Sequence, residues 1–390
     1  MTSLNSRQRM QRAFSLQEVD HVPCAFMSFT ALRKRFNEDL YQLARAELEM
    51  GLDSYLFIPS LPRQQRREHP ELRGLPVRPH PSVQIREHRA GDVLYKEYLT
   101  PAGSLVTSVR LSEDWPHGDH IPFIDDYQVP RAIQHLINDP QDLPALQYML
   151  TPPSAEDISA YRSETLRAQP FAEQLGIPLV GGWGVGMDML NWLCGMQDLM
   201  VATIEREEYV GELLEMVSAW NLKRMQVVLQ APIDLYIKRA WYEGCDFVTP
   251  GFYQRQILPR LKREVNLAHD HGVKFGYICS SGLEPMLDFF LEAGIDVLIG
   301  IDPLQGRRTD LGRIKARIGG RICLWGGVSG AITVELGSEE DVRAAVRSTI
   351  TTLGEQGLIL SPVDNITVDV PQTWQNIATF IDEWRKSWRA

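Results

Sequence analysis

Two stretches near the end of the chain decide its fold: Val273-Lys-Phe-Gly-Tyr-Ile-Cys-Ser-Ser-Gly282 and Gly357-Leu-Ile-Leu-Ser-Pro-Val-Asp-Asn-Ile366. Each is a short apolar run that stops abruptly in small or polar residues, as buried strands of a parallel sheet do. Each also places one reactive side chain, Cys279 or Asp364, just past its apolar part. Because the carboxyl ends of the strands of a parallel barrel meet at one mouth, we expect both side chains to face the same pocket.

The chain alternates between such runs and helical stretches from about residue 170 onward. Apolar runs at 177–182, 233–238, 274–279, 296–300, 321–325 and 358–360 are each followed by a segment with helical character, the longest at 199–229. Earlier runs at 22–29 and 53–59 bring the number of strands to eight. The pattern predicts an α/β fold, a (β/α)8 TIM-type barrel that forms a single domain over residues 1–390.

Residues 61–150 interrupt this alternation and are rich in proline, arginine and histidine. Two runs of strand character, 93–99 and 103–110, are separated by the turn sequence Pro101-Ala-Gly103. We therefore predict an antiparallel hairpin inserted after the second strand, in a position to cap the barrel mouth. The insertion also contains His117-Gly-Asp-His120, which we interpret as an exposed loop rather than a metal site.

The composition excludes several classes of protein. A net charge of -10 argues against a nucleic-acid partner and against docking on an anionic membrane, because both need a basic face. The chain contains neither a signal-peptide core at its N-terminus nor an apolar run of about 18 residues. Its five cysteines are scattered and lack CxxC spacing, so no disulfide framework is predicted. We expect a soluble, cytoplasmic protein.

Three polar side chains at predicted strand ends are candidates for chemistry: Glu243, Cys279 and Asp364. A thiolate and two carboxylates can hold a zinc ion with one coordination position open. Asp364 can instead act as a general acid or base. The structural alternatives are a buried thiol for Cys279, a turn residue for Asp364 and a surface carboxylate for Glu243.

Aromatic side chains also collect at the predicted strand ends, namely Trp183, Trp241, Tyr242, Tyr277 and Trp325. An aromatic pocket favours a substrate that carries a ring, and we expect Trp183, Trp241, Tyr242 and Trp325 to bind it together with Asn365. The alternative is that these rings fill the core between the barrel and its helices.

At these residues the chain resembles the uroporphyrinogen decarboxylase superfamily, which includes decarboxylases and zinc-dependent methyltransferases that act with corrinoid proteins. The resemblance begins at Arg7-Gln-Arg-Met-Gln-Arg-Ala-Phe14 and Val19-Asp-His-Val-Pro23. It continues through Gly195-Met-Gln-Asp-Leu199, the helix start at 250–259, Tyr277-Ile-Cys-Ser-Ser-Gly282, Asp302-Pro303, Trp325-Gly-Gly-Val328, Ser361-Pro-Val-Asp-Asn-Ile366 and Pro371. It covers about three quarters of the chain, leaves the insertion unmatched and implies a barrel.

The departures from the family pattern favour the methyltransferase branch. The segment Phe26-Met-Ser-Phe-Thr-Ala-Leu-Arg33 lacks the arginine pattern with which the decarboxylases hold their substrate. In the methyltransferases the corresponding strand ending is His-x-Cys-Gly, with a further cysteine near the last strand. Here Tyr277 replaces the histidine, Cys279 remains, and Asp364 falls on the last cysteine, with Glu243 as a candidate for a compensating zinc ligand.

The resemblance implies a methyltransferase that moves a methyl group from a small donor, such as an aryl methyl ether or a methylamine-like compound, to the cobalamin of a corrinoid partner protein. A zinc ion bound by Cys279, Asp364 and Glu243, or an acid among these residues, would activate the leaving heteroatom. The catalytic residues would be Asp364, Glu243 and Tyr277. One alternative is a metal-independent decarboxylase or lyase of a small acid, with Asp364 as its acid or base. The other is a binding protein without catalytic activity.

Overall fold

The computed structural model describes residues 3–59, 67–73, 75–306 and 309–387, which form one parallel sheet and one antiparallel sheet. The strands are β1 Leu56–Phe57, β2 Gln84–Ala90, β3 Val93–Thr100, β4 Gly103–Arg110, β5 Ala132–Gln134, β6 Leu179–Gly184, β7 Leu235–Arg239, β8 Lys274–Ile278, β9 Val297–Ile301, β10 Cys323–Ser329 and β11 Leu358–Val363. The parallel sheet has seven strands in the order β1-β6-β7-β8-β9-β10-β11. Every residue of β9, β10 and β11 is buried, as expected for a sheet covered on both faces. The predicted α/β fold with a parallel sheet is confirmed.

The first predicted strand, residues 22–29, is reduced to a single bridge that joins the two edges of this sheet. The backbone of Cys24 pairs in parallel with Leu360 of β11, and its carbonyl accepts a 2.8 Å hydrogen bond from the Asp53 N–H. Pro23 has no N–H to donate to a ladder. The side chain of Asp53 accepts the Cys24 N–H at 3.0 Å and pairs with Arg9, so a carboxylate replaces a neighbouring strand at this point.

Helices follow most strands and cover the sheet. They are α1 Ser6–Phe14, α2 Thr30–Lys34, α3 Leu40–Glu49, α4 Leu143–Leu146, α5 Ala155–Leu175, α6 Met187–Cys194, α7 Met196–Glu205, α8 Glu207–Val228, α9 Pro250–Phe252, α10 Leu258–Asp270, α11 Leu287–Ala293, α12 Leu311–Ile318, α13 Glu339–Leu353 and α14 Pro371–Ser387, with π-helical turns at Tyr253–Ile257 and Gly330–Glu335. The helix predicted at 199–229 is two helices, because Arg206 leaves the helical conformation between α7 and α8. Of the helices described, none has both the length and the apolar character needed to cross a membrane.

The insertion forms a four-stranded antiparallel sheet in the order β2-β3-β4-β5. The predicted hairpin is confirmed: β3 and β4 pair from Val93↔Arg110 to Thr100↔Gly103. Strand β2 was not predicted because all seven of its residues are exposed, so its sequence has no apolar alternation. Residues 61–66 and 74 of the predicted insertion lie outside the described residues.

A polar cluster ties segment 67–73 to the antiparallel sheet. The two ring nitrogens of His120 lie 2.9 Å from Glu68 and 2.9 Å from Glu87, and the buried Lys96 ammonium lies 2.8 Å from Glu68. The interpretation of residues 117–120 as an exposed loop is therefore wrong for His120, which is 4% exposed. The carboxylates of Glu68 and Glu87, which come from distant parts of the chain, pair with the buried imidazole.

Glu47 on α3 generates a prediction about stability and pH. It is 5% exposed, accepts a hydrogen bond from Ser54, and burial raises its pKa to about 8. Between about pH 4.5 and pH 8 the unfolded chain releases this proton while the folded protein keeps it, so Glu47 makes the folded state less stable as pH rises through that window. We expect Glu47 to lower the unfolding free energy of the wild type by an amount on the order of 4 kcal/mol between about pH 5 and pH 8. In Glu47→Gln this decrease should be absent.

Urea unfolding of both proteins at the two pH values tests this expectation. Glu49→Gln, which removes an exposed carboxylate two residues further along α3, serves as the control and should keep the wild-type pH dependence. An unchanged pH dependence in Glu47→Gln would show that Glu47 is not held neutral by burial.

Candidate functional site

A cavity of about 890 Å³ lies at the carboxyl ends of the parallel strands, between the parallel sheet and the insertion. Aromatic, acidic and basic side chains make up most of its lining. The aromatic ones are Trp183, Trp241, Tyr242 and Phe247; the acidic ones are Glu71, Asp126, Asp246 and Asp364; the basic ones are Arg33, Arg73 and Arg239. Ser28, Ser280, Ser281, Gln305 and Asn365 add neutral polar groups. Of the residues singled out in the sequence, five line this cavity together: Trp183, Trp241, Tyr242, Asp364 and Asn365.

Two glycines allow the loops after β7 and β8 to pack directly against each other. Gly282 adopts a φ of +64°, and a Cβ built on it would lie 2.5 Å from the backbone nitrogen of Asp246. A Cβ on Gly244 would lie 2.0 Å from the carbonyl oxygen of Ser281. Because only glycine tolerates these approaches, the two loops present Asp246 and Ser281 on the same wall of the cavity.

Arg239, the last residue of β7, connects the strand to the insertion. Its guanidinium lies 2.7 Å from Asp188 of α6, 3.0 Å from Glu71 and 2.9 Å from Asp126. Although burial opposes its charge, the carboxylates of Asp188, Asp126 and Glu71 raise the pKa of Arg239. The insertion is therefore anchored over the strand ends, as predicted, through Glu71 and Asp126.

Two cationic side chains of the cavity are packed against its aromatic rings. The guanidinium of Arg239 lies 4.7 Å from the ring centre of Trp241, and that of Arg73 lies 4.6 Å from the ring centre of Trp183. The two indoles contact each other, with centroids 5.9 Å apart. Together they form a continuous aromatic wall whose ring faces are in part already covered by the protein's own positive charges.

Asp364 lies half-buried on this wall, directly after β11. Burial raises its pKa to about 6; the carboxylates of Asp126 and Asp302 add to the rise, and the charge of Arg239 opposes it. A carboxyl group with this pKa exchanges its proton near neutral pH, which is the property that a general acid or base requires.

The neighbouring carboxyl groups also titrate far from their ordinary range. Burial raises the pKa of Asp188 to about 6, and burial together with Asp126 raises the pKa of Glu71 to about 7. Both are bound to Arg239, so their role in the site is to hold that guanidinium in place.

The other predicted catalytic residues lie behind the cavity wall. Glu243 is 1% exposed, and its carboxylate accepts hydrogen bonds from the Met187 N–H at 3.1 Å and from the Tyr277 hydroxyl. Tyr277 is fully buried, and its oxygen accepts a 3.3 Å hydrogen bond from Tyr253. Glu243 therefore caps the start of α6 rather than lying on the surface.

The side chains predicted to hold zinc are not assembled as a metal site. Cys279 is fully buried, burial raises the pKa of its thiol well above the ordinary value, and its sulfur contacts the Ser281 carbonyl at 3.9 Å. Glu243 is engaged by Met187 and Tyr277, whereas Asp364 faces the cavity. Across residues 3–59, 67–73, 75–306 and 309–387, no three His, Cys, Asp or Glu side chains are grouped in a way that could hold a metal ion. The donor set does not fit zinc.

Trp325 is a core residue rather than part of the cavity wall. It is 1% exposed, its indole N–H donates a 2.9 Å hydrogen bond to the Ala25 carbonyl, and its ring packs against Phe14 and Tyr55. All seven residues of β10 are buried, so this ring is part of the packed core.

Sequence reasoning missed the charged residues that reach the cavity from other segments, namely Arg33, Glu71, Arg73, Asp126, Arg239 and Asp246. One signal was available: Lys238 and Arg239 are adjacent charges at the end of an otherwise apolar strand. Buried charges of this kind need partners, and for Arg239 these come from segments far away in sequence.

A family model described as Uroporphyrinogen decarboxylase (URO-D) matches residues 120–387. This range covers more than half of the chain, and the chain therefore belongs to the uroporphyrinogen decarboxylase family, as its motifs predicted. Asp364 and Arg239 lie inside the matched range, whereas Arg33, Glu71 and Arg73 lie outside it. No curated protein sequence matches the chain.

One solved structure shows the same fold at low sequence identity. A methyltransferase from Methanosarcina mazei is 15% identical over 99% of both chains, with a TM-score of 0.60. A B12-independent methionine synthase from Shewanella sp. W3-18-1, in complex with selenomethionine, is 8% identical over 95% of this chain and 98% of its own, with a TM-score of 0.48. At 15% identity the first similarity shows a common fold and does not identify a reaction; the second carries no weight here.

Arg239 gives a prediction about the anchoring of the insertion. Asp188 is fully buried, so replacing its partner in Arg239→Gln leaves an unpaired buried carboxylate. We expect this variant to lose about 3–5 kcal/mol of unfolding free energy, measured by urea denaturation. The control is Arg317→Gln, whose pair with Asp288 is exposed by 55% and 65%, and a loss of at most about 1 kcal/mol is expected there. Equal losses in the two variants would contradict the anchoring role.

Cys279 gives a prediction about metal. We expect Cys279→Ala and Cys323→Ala, which each remove a fully buried thiol, to behave alike: a loss of roughly 1–2 kcal/mol in stability and no change in zinc content. Zinc content is measured by mass spectrometry of the purified proteins. A stoichiometric zinc ion that is present in the wild type and in Cys323→Ala but lost in Cys279→Ala would restore the zinc prediction.

Proposed function

We propose that the protein is a methyltransferase that removes a methyl group from a small aromatic O-methyl donor. Its scaffold would be a TIM-type barrel in which the segment bridged at Cys24 serves as the eighth strand. The observation that carries the proposal is Asp364, a half-buried carboxyl with a pKa of about 6 on an aromatic cavity wall. Membership of a family that includes methyltransferases is consistent with this reaction.

The donor ring would lie against Trp183, Trp241 and Tyr242. Ring stacking and apolar burial hold such a group without fixing its substituents, and aromatic pairs add about 0.5–1.5 kcal/mol each. The volume of about 890 Å³ is in the range of cavities that bind small organic molecules.

Asp364 would protonate the leaving oxygen. The bond between oxygen and methyl carbon breaks, its electron pair stays on the oxygen, and that oxygen takes the proton of Asp364 and departs as a phenol. The methyl group passes to a nucleophilic acceptor in the same step. A placed general acid typically contributes a factor of about 10²–10⁴, because it neutralises charge that develops in the transition state.

The acceptor that we propose is cobalamin carried by a corrinoid partner protein, which would supply the nucleophile. The residues of this chain would bind and orient the donor and deliver the proton. No step is assigned to zinc, because Cys279 and Glu243 are turned away from the cavity into which Asp364 projects.

A second candidate is a decarboxylase or lyase of a small acid. The observation in its favour is that the cavity combines arginines with one carboxyl group able to donate a proton near neutral pH. In that reaction a carbon–carbon bond breaks, carbon dioxide leaves, and the electron pair left on carbon takes the proton of Asp364. It requires no acceptor protein.

Asp364 provides the test of both candidates. We expect Asp364→Asn to lower kcat for demethylation by a factor of roughly 10²–10⁴, because the amide cannot donate the proton. Since the acid must be protonated to act, wild-type turnover should fall as pH rises through about 6, and the residual activity of the variant should lack this fall. The measurement is phenol release by mass spectrometry, with full-length protein, aryl methyl ethers and a reduced corrinoid protein.

Asp369→Asn is the matched control, since Asp369 lies five residues further on and is exposed, where it pairs with Arg35. It should keep wild-type turnover. Release of carbon dioxide from a small acid without the corrinoid protein would support the second candidate instead. Full activity in Asp364→Asn would contradict both assignments.

A further inference from the structure

We propose that Glu243 and Tyr277 are positioning residues, which act from behind the cavity wall to hold Trp241 in a fixed place beside Trp183. The inference rests on the proposed function only in taking the aromatic wall as the surface that binds the ring of the donor. Glu243 and Tyr277 are both buried and lie apart from the residues that line the cavity, so they act through the indoles rather than on the substrate.

The turn Trp241–Glu243 has side chains on both sides of the wall. It is a single turn of three residues after β7, and Trp241 and Tyr242 line the cavity. The side chain of Glu243 is 1% exposed and lies on the interior side. The turn departs from helical geometry at Tyr242, with a φ of -99° and a ψ of 21°. Because an irregular turn of this length is not rigid by itself, the contacts of Glu243 decide where its two rings lie.

The Glu243 carboxylate joins this turn to the start of α6. Its Oε1 atom accepts a 3.1 Å hydrogen bond from the Met187 N–H. Gly186 makes the close approach possible, because a Cβ built there would lie 2.1 Å from the same oxygen. Trp183 is the second-last residue of β6, a short distance before Met187 in the chain. The carboxylate therefore fixes the turn that carries one indole to the segment that carries the other.

The Tyr277 hydroxyl joins the same carboxylate to the parallel sheet. Tyr277 lies in β8, opposite Lys238 of β7 and Leu298 of β9, and its side chain is fully buried. Its hydroxyl donates to Oε2 of Glu243 and accepts a 3.3 Å hydrogen bond from Tyr253. Burial and the charge of Glu243 raise the pKa of Tyr277, so the phenol keeps its proton and remains the donor. Since β8 is paired on both sides, this bond transmits the position of the sheet to the turn.

A buried lysine compensates the charge of Glu243. The Nζ atom of Lys238 lies 2.8 Å from Glu264, and both side chains are buried. Lys238 also reaches Gly186, where a Cβ would lie 3.5 Å from its Cε atom and 2.1 Å from the Glu243 oxygen. Although burial opposes its charge, the carboxylates of Glu264, Glu243 and Asp188 raise the pKa of Lys238. Hydrogen bonds to a charged acceptor are stronger than neutral ones, so the two bonds of Glu243 hold the turn firmly.

The relative position of the two indoles is what these contacts fix. The ring centroids of Trp183 and Trp241 are 5.9 Å apart, and their planes form an angle of 50°. Aromatic pairs gain from their contact only at centroid distances of about 4.5–7 Å, so a small displacement of Trp241 removes the surface that a donor ring needs to contact both indoles. Apolar residues at positions 243 and 277 would fill the same interior volume, but they would leave the turn without a directional contact.

The test combines two measurements on the full-length protein. The first is the exciton couplet of the Trp183–Trp241 pair in the far-ultraviolet circular dichroism spectrum, obtained as the difference between the wild type and Trp241→Phe. The second is calorimetric titration with 4-methoxybenzyl alcohol, a neutral aryl methyl ether. We expect Tyr277→Phe to lose most of the couplet and to bind the probe roughly tenfold more weakly, as the loss of a hydrogen bond to a charged group allows. Glu243→Gln should have an intermediate effect, because an amide offers one oxygen to the two donors.

Tyr253→Phe is the matched control, since it also removes a fully buried hydroxyl, whose partner is Tyr277. It should keep the couplet and the affinity. The inference is overturned if Tyr277→Phe keeps the couplet and binds within about twofold of the wild type, or if Tyr253→Phe loses as much. It is also overturned if the wild type and Trp241→Phe give the same spectrum, or if the wild type shows no saturable binding up to roughly 10 mM.

Glu243→Gln decides the question if Tyr277→Phe does not fold. A weaker couplet and a weaker affinity in this variant support the inference, and an unchanged couplet overturns it. Turnover gives a further check: Tyr277→Phe should raise KM for an aryl methyl ether and leave kcat almost unchanged, because Asp364, which delivers the proton, is not altered.

The dichroism and the titration need neither an acceptor nor turnover, so they separate the two proposals. A couplet and an affinity that depend on Tyr277, in a protein that does not demethylate, would contradict only the methyltransferase. Demethylation with the same KM in the wild type and in Tyr277→Phe would contradict only the positioning role.

Discussion

The ion-pair cluster of Arg239 is the interaction on which the rest of the site depends. One guanidinium group at the end of β7 binds Asp188 from α6, Glu71 from the segment after β1 and Asp126 from the insertion. It also lies between the rings of Trp192 and Trp241. Burying a charge this deeply is unfavourable unless its partners are fixed, so the barrel and the insertion must meet in one arrangement for the cluster to form.

The cluster also determines the chemistry available at the mouth. Arg239 pairs with Glu71 and Asp126 and so holds two carboxylates at the cavity wall on which Asp364 lies half-buried. The charge of Asp126 adds to the rise that burial causes in the pKa of Asp364. Arg33 and Arg73, in contrast, line a small adjoining chamber together with Glu47, whose pKa is raised by burial to about 8.

The fold could be read from the sequence to a large extent because its signals are local. Runs of apolar residues placed β6 to β11, and the turn at 101–103 placed the β3–β4 hairpin. Two segments departed from the prediction. Strand β2 is exposed along its whole length and carries no apolar pattern, and residues 22–29 form one bridge where Pro23 lacks an N–H and the Asp53 side chain accepts the Cys24 N–H. The aromatic wall was anticipated in part, with Trp325 assigned to it although that ring belongs to the core.

The sequence by itself determined the family, the parallel sheet and the position of Asp364 after the last strand, since these follow from motifs and from the periodicity of single segments. Only the tertiary structure decided which strand-end groups share a space. It turned Glu243 and Tyr277 toward each other behind the wall and buried Cys279 apart from Asp364, and it brought Arg33, Arg73 and Arg239 to the cavity. The physical reason is that a side chain's direction and a buried charge's partner depend on contacts between distant segments, which no local pattern records.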